Sequence, residues 1–387
     1  MLAWVAPLIV FGIVVFVHEL GHFLAAKAVG VYAPRFSIGF GKALWKRRKG
    51  ETEYVLAAVP LGGYVRLASK DDEATAFLEG GSENSAVHHG AGDDWDPEAM
   101  IPFGPKPIPE HRWMESQPLW GKLVIMLAGV TMNMILGYLV LTGMFIGYGK
   151  PYLTTRADSL LVNKPAAVAG MKAGDSIVAV NGQPLADWDA LLKKVGASAG
   201  VPLTLRVMRD GAARDIEVTP AAEDAVNPET GRKERVGRIG IIARTGTTGV
   251  GLVEALSSGA SATGAMATGV LRSLKQLATR QVSAKELGGP IAIAQASYQA
   301  AQGGLEPLLL LIAFISINLA VFNLLPIPVL DGGQILILLL ESVKGSPFSL
   351  KTREVILKAG LGLILLLVAL VMYNDIRRLV ESIFGIG

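Results

Sequence analysis

The chain has 387 residues, 51% of them hydrophobic and 18% charged, with a formal net charge of +3. This composition marks an integral membrane protein with a substantial water-facing part, and with no basic domain standing apart it excludes nucleic acid as a partner. There is no cysteine, so disulfides and thiolate metal sites are ruled out, and any zinc site must use histidine and carboxylates.

The first apolar segment, Leu2–Ala26, carries no charge from Leu2 to Val17 and reads as a transmembrane helix. Ala26-Lys27-Ala28 resembles a signal-peptide cleavage site, but residues 1–17 lack the basic region such a signal begins with. The segment runs into Val17-His18-Glu19-Leu20-Gly21-His22-Phe23. His18 and His22, four apart, project from one helix face about 40° apart. Two imidazoles so placed can grip one Zn²⁺, and Glu19 between them can act as general base on a water. Ionisable groups are costly inside a membrane and usually mark a working site there.

Residues 35–67 alternate in a β-like way, with turns at Lys49-Gly50 and Pro60-Leu61-Gly62-Gly63. Two readings stand: a small cytoplasmic sheet, or a hairpin beside the first helix that dips into the membrane under cover of protein. Residues 71–109 are acidic, rich in Gly and Pro and poor in aliphatics, which predicts a flexible loop. His88, His89, Asp93, Asp94 and Asp96 within it read as a solvated polar stretch rather than a metal cluster.

Further spans are expected at Leu119–Tyr148, Leu308–Leu325 and Val355–Tyr373, each near the length that crosses the hydrocarbon. Ile335–Leu340 is too short to cross and reads as a cap or a re-entrant piece. In the second span Asn133 places an amide at bilayer depth, either to bond another helix or to orient a site residue. Basic residues cluster after the first span (Lys27, Arg35, Lys42 and Lys46 to Lys49), around the start of the second (Arg112, Lys122) and between the third and fourth (Lys344, Lys351, Arg353). By the positive-inside rule these loops are cytoplasmic, and residues 150–305 lie outside, in the periplasm of a bacterium.

In that external segment, Ala169-Gly170-Met171-Lys172-Ala173-Gly174-Asp175 leads through a strand to Val180-Asn181-Gly182. A helix at Asp187–Val195 and strands at Leu203–Met208 and Ala213–Val218 follow. The pattern resembles a bacterial PDZ domain, which takes an extended peptide or C-terminus by strand addition. Residues 236–304 read as interfacial helices.

The third span ends in Asn318-Leu319-Ala320-Val321-Phe322-Asn323-Leu324-Leu325-Pro326-Ile327-Pro328-Val329-Leu330-Asp331-Gly332-Gly333. Two close prolines cannot continue a regular helix, and the exposed peptide groups need protein or a cavity around them. Asp331 is either a helix N-cap or a metal ligand; with a two-histidine half-site lacking another ligand in a membrane segment, the ligand reading is preferred.

Taken together, His18-Glu19-Leu20-Gly21-His22, the Gly62-Gly63-Tyr64-Val65 segment, the PDZ-like stretch and the Asn323 to Gly333 motif resemble the site-2 protease family over nearly the whole chain. The resemblance implies that His18, His22 and Asp331 are zinc ligands and Glu19 the catalytic glutamate. It implies that Asn323 binds substrate, together with Gly62, Gly63 and Tyr64 of the hairpin and with Asn318, Pro326 and Pro328 around the broken helix. It also implies regulated intramembrane proteolysis of single-span membrane proteins, often an anti-sigma factor already trimmed outside by another protease. Enteric members carry tandem PDZ domains, whereas residues 150–235 have room for one; Val130 stands where relatives commonly have proline.

The expected fold is an α-helical polytopic membrane protein of about four transmembrane helices, with a membrane-associated β-hairpin region and an inserted periplasmic PDZ domain of α+β type. Its divisions are 1–29 (first span), 30–70 (hairpin region), 71–117 (cytoplasmic loop), 118–149 (second span), 150–235 (PDZ), 236–304 (interfacial helices), 305–342 (third span and motif) and 343–387 (fourth span and tail). The expected setting is the bacterial inner membrane, with the lipid bilayer and an extended peptide at the PDZ domain as partners. A non-catalytic PDZ adaptor is the rival function. A zinc transporter would need repeated intramembrane acids or an inverted repeat, and neither is present in the sequence.

Overall fold

The computed structural model describes residues 2–69, 108–226, 233–279, 281–283 and 288–384. His88, His89, Asp93, Asp94 and Asp96 lie outside the described residues. The chain forms two compact units, residues 1–144 with 253–387, and residues 145–252.

The first unit opens with helix α1 (Leu2–Val29), apolar around its whole circumference until the histidines, as a helix surrounded by lipid and protein requires. Strands β1 (Arg35–Lys49) and β2 (Thr52–Arg66) follow and pair antiparallel. Their register is richer than that of one hairpin. Arg35 stands opposite both Glu53 and Arg66, Ser37 opposite both Val55 and Tyr64, while Lys46 meets Val55 and Arg48 meets Glu53. Each long strand therefore bends, and four extended legs result, with Gly63–Arg66 on the outside next to the leg that starts at Arg35. The bends fall where glycine allows them: Gly39 and Gly41 have φ of 88° and 84°, and Gly62 has φ of 152°. Phe36 packs on Phe23 of α1, with ring centroids 5.3 Å apart, and this fixes the sheet along the helix.

The hairpin turn is clasped to the end of α1. Arg112, in a short 3₁₀ turn at Glu110–Arg112, holds both oxygens of Glu51 at 2.6 and 2.9 Å, and Lys27 adds a third bond at 2.5 Å. The Arg112 guanidinium, helped by Lys27, holds the Glu51 carboxyl down at about 2. Helix α2 (Leu119–Tyr148) then crosses α1 closely. A Cβ on Gly21 of α1 would sit 2.7 Å from the carbonyl carbon of Ala128, so glycine is what lets the two backbones touch.

The second unit is a five-strand path with a short flap. Strands β3 (Lys150–Leu160), β4 (Ser176–Val180), β5 (Gln183–Pro184), β6 (Leu203–Arg209) and β7 (Ala212–Val218) are interleaved with helices α3 (Pro165–Val168) and α4 (Trp188–Gly196). A separate pair, β8 (Ala221–Val226) and β9 (Lys233–Arg238), precedes β10 (Ile241–Thr248), and the sheet order is β10-β3-β4-β6-β7. Ile177, Leu191, Leu205 and Val207 are buried at its centre. Asp175, fully buried, takes two bonds of 2.7 Å from Arg209, which hold its carboxyl below the usual aspartate range. The expected boundary at residue 235 is too early: β10 lies beyond it and pairs along β3 from Leu160 to Lys150. Its Gly- and Thr-rich sequence has little apolar alternation of its own, so its partner strand decides its structure.

The chain returns to the first unit as α5 (Leu252–Ala278), α6 (Pro290–Gln302), α7 (Leu305–Asn323), α8 (Asp331–Lys344) and α9 (Leu350–Phe384). Where interfacial helices are expected, α5 instead buries Ala255, Gly259, Thr263 and Val270, and its Ala262 and Met266 pack against Leu141 of α2 and Ile317 of α7. Helix α6 has no side-chain cap of its own. Asp375 of α9 supplies it by accepting from the backbone N–H groups of Gly289, Ile291 and Ala292. Val10 and Val14 of α1 meet Ile312 of α7 and Leu136 of α2 in the central packing. Among the described residues, four helices are long and apolar enough to cross a membrane: Ala3–Val29, Leu119–Tyr148, Leu305–Asn323 and Lys351–Glu381. Most of the last is exposed on every side (Leu365, Leu366, Val368, Leu370), as suits lipid contact.

Candidate metal centre

Asp331 stands beside the two histidines of α1. Its Oδ2 is 3.4 Å from Nε2 of His18 and 3.5 Å from Nε2 of His22, and the two imidazole nitrogens are 3.2 Å apart. These three atoms make a nearly equilateral triangle. Four donors placed tetrahedrally about 2.0–2.1 Å from zinc are separated by about 3.3–3.4 Å, so the triangle has the size of one face of that coordination shell. Oδ2 of Asp331 is buried with no hydrogen-bond donor, which suits an oxygen facing a cation. Two nitrogens and a carboxylate oxygen are also the donor types zinc takes where thiolates are absent. Among the described residues this is the group of histidine and acidic side chains gathered closely enough to hold a metal.

Local sequence explains how Asp331 arrives there. It is the first residue of α8, the N-cap is Leu330, and Asp331 makes no capping bond, so the N-cap alternative does not apply. The chain turns sharply between α7 and α8, and Gly332 and Gly333 let the start of α8 press on that turn. A Cβ on Gly332 would lie 2.6 Å from the carbonyl oxygen of Leu325, and one on Gly333 2.6 Å from Cα of Pro328. Pro328 in turn packs on Gly360 of α9, and its carbonyl accepts from Gln334.

Helix α2 supplies the wall behind the histidines. His22 Nδ1 donates to the carbonyl of Ile125 at 2.8 Å, which leaves Nε2 a bare lone pair. Gly129 leaves the space the rings occupy: a Cβ there would lie 2.8 Å from Cε1 of His18 and closer still to Nε2 of His22. The sequence reading did not assign Ile125 or Gly129 a part in the site. The signal that points to them is their spacing, since 125, 129 and Asn133 fall on one helix face.

The other expected site residues divide. Glu19 lines the same cavity of about 490 Å³ as the metal-type donors, and the outer leg of β2 comes up beside it. The N–H of Val65 reaches Glu19, and a Cβ on Gly63 would lie 3.2 Å from its Cγ. Tyr64 and Asn323 also line the cavity, with Nδ2 of Asn323 3.1 Å from Nε2 of His18. Gly62 forms the bend of β2 against Phe40. Asn318 bonds back to the carbonyl of Phe314 in its own helix at 2.7 Å and does not line the cavity, so the structure does not bring it to the site. Pro326 and Pro328 shape the turn rather than the cavity wall.

A profile of peptidase family M50 matches residues 6–367. The regulator of sigma-W protease RasP of Bacillus subtilis is 31% identical, over 97% of this chain and 98% of its own length. The zinc metalloprotease RasP of Bacillus licheniformis is likewise 31% identical, over 97% of this chain and 99% of its own. Among solved structures, the PDZ domain of an SdrC-like protein from Listeria innocua aligns along 99% of itself and 25% of this chain, at 15% identity and a TM-score of 0.20. The match over residues 6–367, with relatives 31% identical along 97% of the chain, places this protein in peptidase family M50, as a zinc metalloprotease of the site-2 type.

Proposed function

We propose that this protein cuts single-span membrane proteins within the bilayer, with His18, His22 and Asp331 as the zinc ligands and Glu19 as general base. The observation that carries this reading is the three-donor triangle with edges of 3.2 to 3.5 Å beside Glu19, on a helix apolar enough to span a membrane. Zinc, when bound, supplies Lewis-acid chemistry to the carbonyl and to the attacking water. The rest of the chemistry belongs to the chain. Glu19 accepts the proton of the water through a carboxylate oxygen and returns it to the nitrogen of the leaving amine. Asn323, whose Nδ2 lies 3.1 Å from Nε2 of His18, stands where its amide can donate to the carbonyl oxygen of the bond being cut.

A helical substrate hides its carbonyls in its own hydrogen bonds, so it must be extended before attack. The leg Gly63–Arg66 suits this task. It pairs on one side with the leg from Arg35 to Ile38, its other side faces the cavity at Glu19, and a peptide added there as a strand would lie across the donors. The basic loops support an active site toward the cytoplasm of a bacterial inner membrane, with residues 145–252 on the outside as a PDZ domain that takes an extended peptide or C-terminus. The Bacillus subtilis relative, named for sigma-W, supports a regulator of transcription as substrate, anti-sigma factors being the first class to try.

The test is to incubate the purified chain in lipid nanodiscs with trimmed single-span proteins and map the products by mass spectrometry. A cut inside the span, absent with Glu19→Gln, is expected. Cuts confined to residues outside the bilayer would overturn the intramembrane reading, and none with any candidate would favour the PDZ adaptor.

A further inference from the structure

Asn133 is fully buried, and its position is fixed through its main-chain oxygen, which accepts from Ser316 at 2.9 Å. Its side-chain Nδ2 lies 3.4 Å from Nδ1 of His18, while its Oδ1 has no partner. In that orientation amide nitrogens face both ring nitrogens of His18, Asn133 at Nδ1 and Asn323 at Nε2 3.1 Å away, and a neutral imidazole with its single N–H cannot accept from both. An imidazole that offers Nε2 to a metal carries its proton on Nδ1 and needs an acceptor there. The oxygen and nitrogen of an amide exchange places by a half-turn about one bond. That half-turn brings Oδ1 to the Nδ1–H of His18.

We propose that Asn133 is the positioning residue for His18: its Oδ1 accepts from Nδ1–H and holds the ring in the tautomer and rotation that present Nε2 to zinc. The inference rests on His18 being a ligand, as proposed above. Its support is the symmetry of the arrangement. Residues 125, 129 and 133 recur every fourth position along one face of α2, opposite His22 and His18 of α1. The Ile125 carbonyl holds His22 from one end of this stripe, Gly129 opens the middle, and the Asn133 amide meets His18 at the other end. One helix thus orients both imidazoles. The competing acceptor for His18 is the main-chain carbonyl of Gly129, which also reaches its ring.

The test measures zinc affinity of the full chain by competition with a chelator, alongside melting of the zinc-free protein. Asn133→Leu keeps the approximate size but removes the acceptor, and should weaken zinc binding about 10- to 100-fold with little change in zinc-free melting. Asn133→Asp, which accepts but when ionised cannot donate, should bind zinc as tightly as the parent. Wild-type affinity in the Leu variant would overturn the proposal in favour of the Gly129 carbonyl. Equal losses in both variants would overturn it in favour of packing or of a donating amide. Should the Leu variant not fold, the Asp variant decides alone: retained affinity supports the acceptor role and lost affinity overturns it. His18→Ala separates the two layers. If it retains zinc, the ligand assignment itself falls. If it loses zinc while Asn133→Leu does not, only the role of Asn133 falls.

Discussion

Gly129 and His22 share one volume: a methyl group at Gly129 would fall on Nε2 of the imidazole and 2.8 Å from Cε1 of His18. The close crossing of α1 and α2 therefore serves the site and not only the packing. Gly129→Ala should displace one ring or part the helices, at a cost of about 1–3 kcal/mol. Zinc content per chain should fall well below one, and proteolysis with it, as metal analysis on the purified variant would show. A Gly129→Ala protein with a full complement of zinc would mean the rings have more freedom than the geometry gives them.

Asp331 depends on its two following glycines in the same way. Asp331→Asn keeps the shape but removes the charge facing the histidines, and should weaken zinc binding by more than about 100-fold, beyond the usual effect of losing an outer-shell partner. Gly333→Ala should act at a distance, because its methyl would press on Ile327 and Pro328 and lift the start of α8. Chelator competition should show weakened zinc binding in both variants. Parent-like binding by Gly333→Ala would show that the turn yields without moving Asp331.

The two ends of the site differ in how plainly the sequence announces them. His18, Glu19 and His22 are local: helix geometry alone sets the two histidines on one face, and the apolar flanks give the membrane setting. Asp331 is distant in sequence, and its approach rests on the turn at Pro326–Pro328 and on the space left by Gly332 and Gly333, which composition does not display. The four-legged sheet was legible as alternating strands. Its register was not, because it depends on bends at Gly39, Gly41 and Gly62 and on the seating of Phe36 against Phe23. Strand β10 escaped for a related reason: β3, far back in the chain, supplies its pairing. Asn318 shows the reverse error, since a polar residue near a motif satisfied itself within its own helix.

The clasp at Glu51 makes the hairpin sensitive to acid. The Glu51 carboxyl is held at about 2, against 4.5 for an ordinary glutamate, by Arg112 first and Lys27 second. A lowered folded-state value means the clasp stabilises fully above about pH 4.5 and loses its contribution as pH falls toward 2. Glu51→Gln should remove about 1–2 kcal/mol from the anchoring of the hairpin turn at neutral pH, allowing for partial exposure. Amide hydrogen exchange over residues 43–57 should quicken in the variant at pH 7, and the difference from the parent should shrink on acidification. Equal exchange in both proteins at pH 7 would show that the Phe23–Phe36 packing holds the hairpin by itself.

The most direct measurement pairs zinc content with proteolysis in the same sample of Glu19→Gln. On the proposed assignment His18, His22 and Asp331 hold the metal and Glu19 moves the proton. The variant should therefore keep one zinc per chain and its parent's melting behaviour, while cleavage within a substrate's span falls by at least about 100-fold, the scale of a general base. Cleavage at the parent's rate by a zinc-loaded Glu19→Gln protein would contradict that assignment.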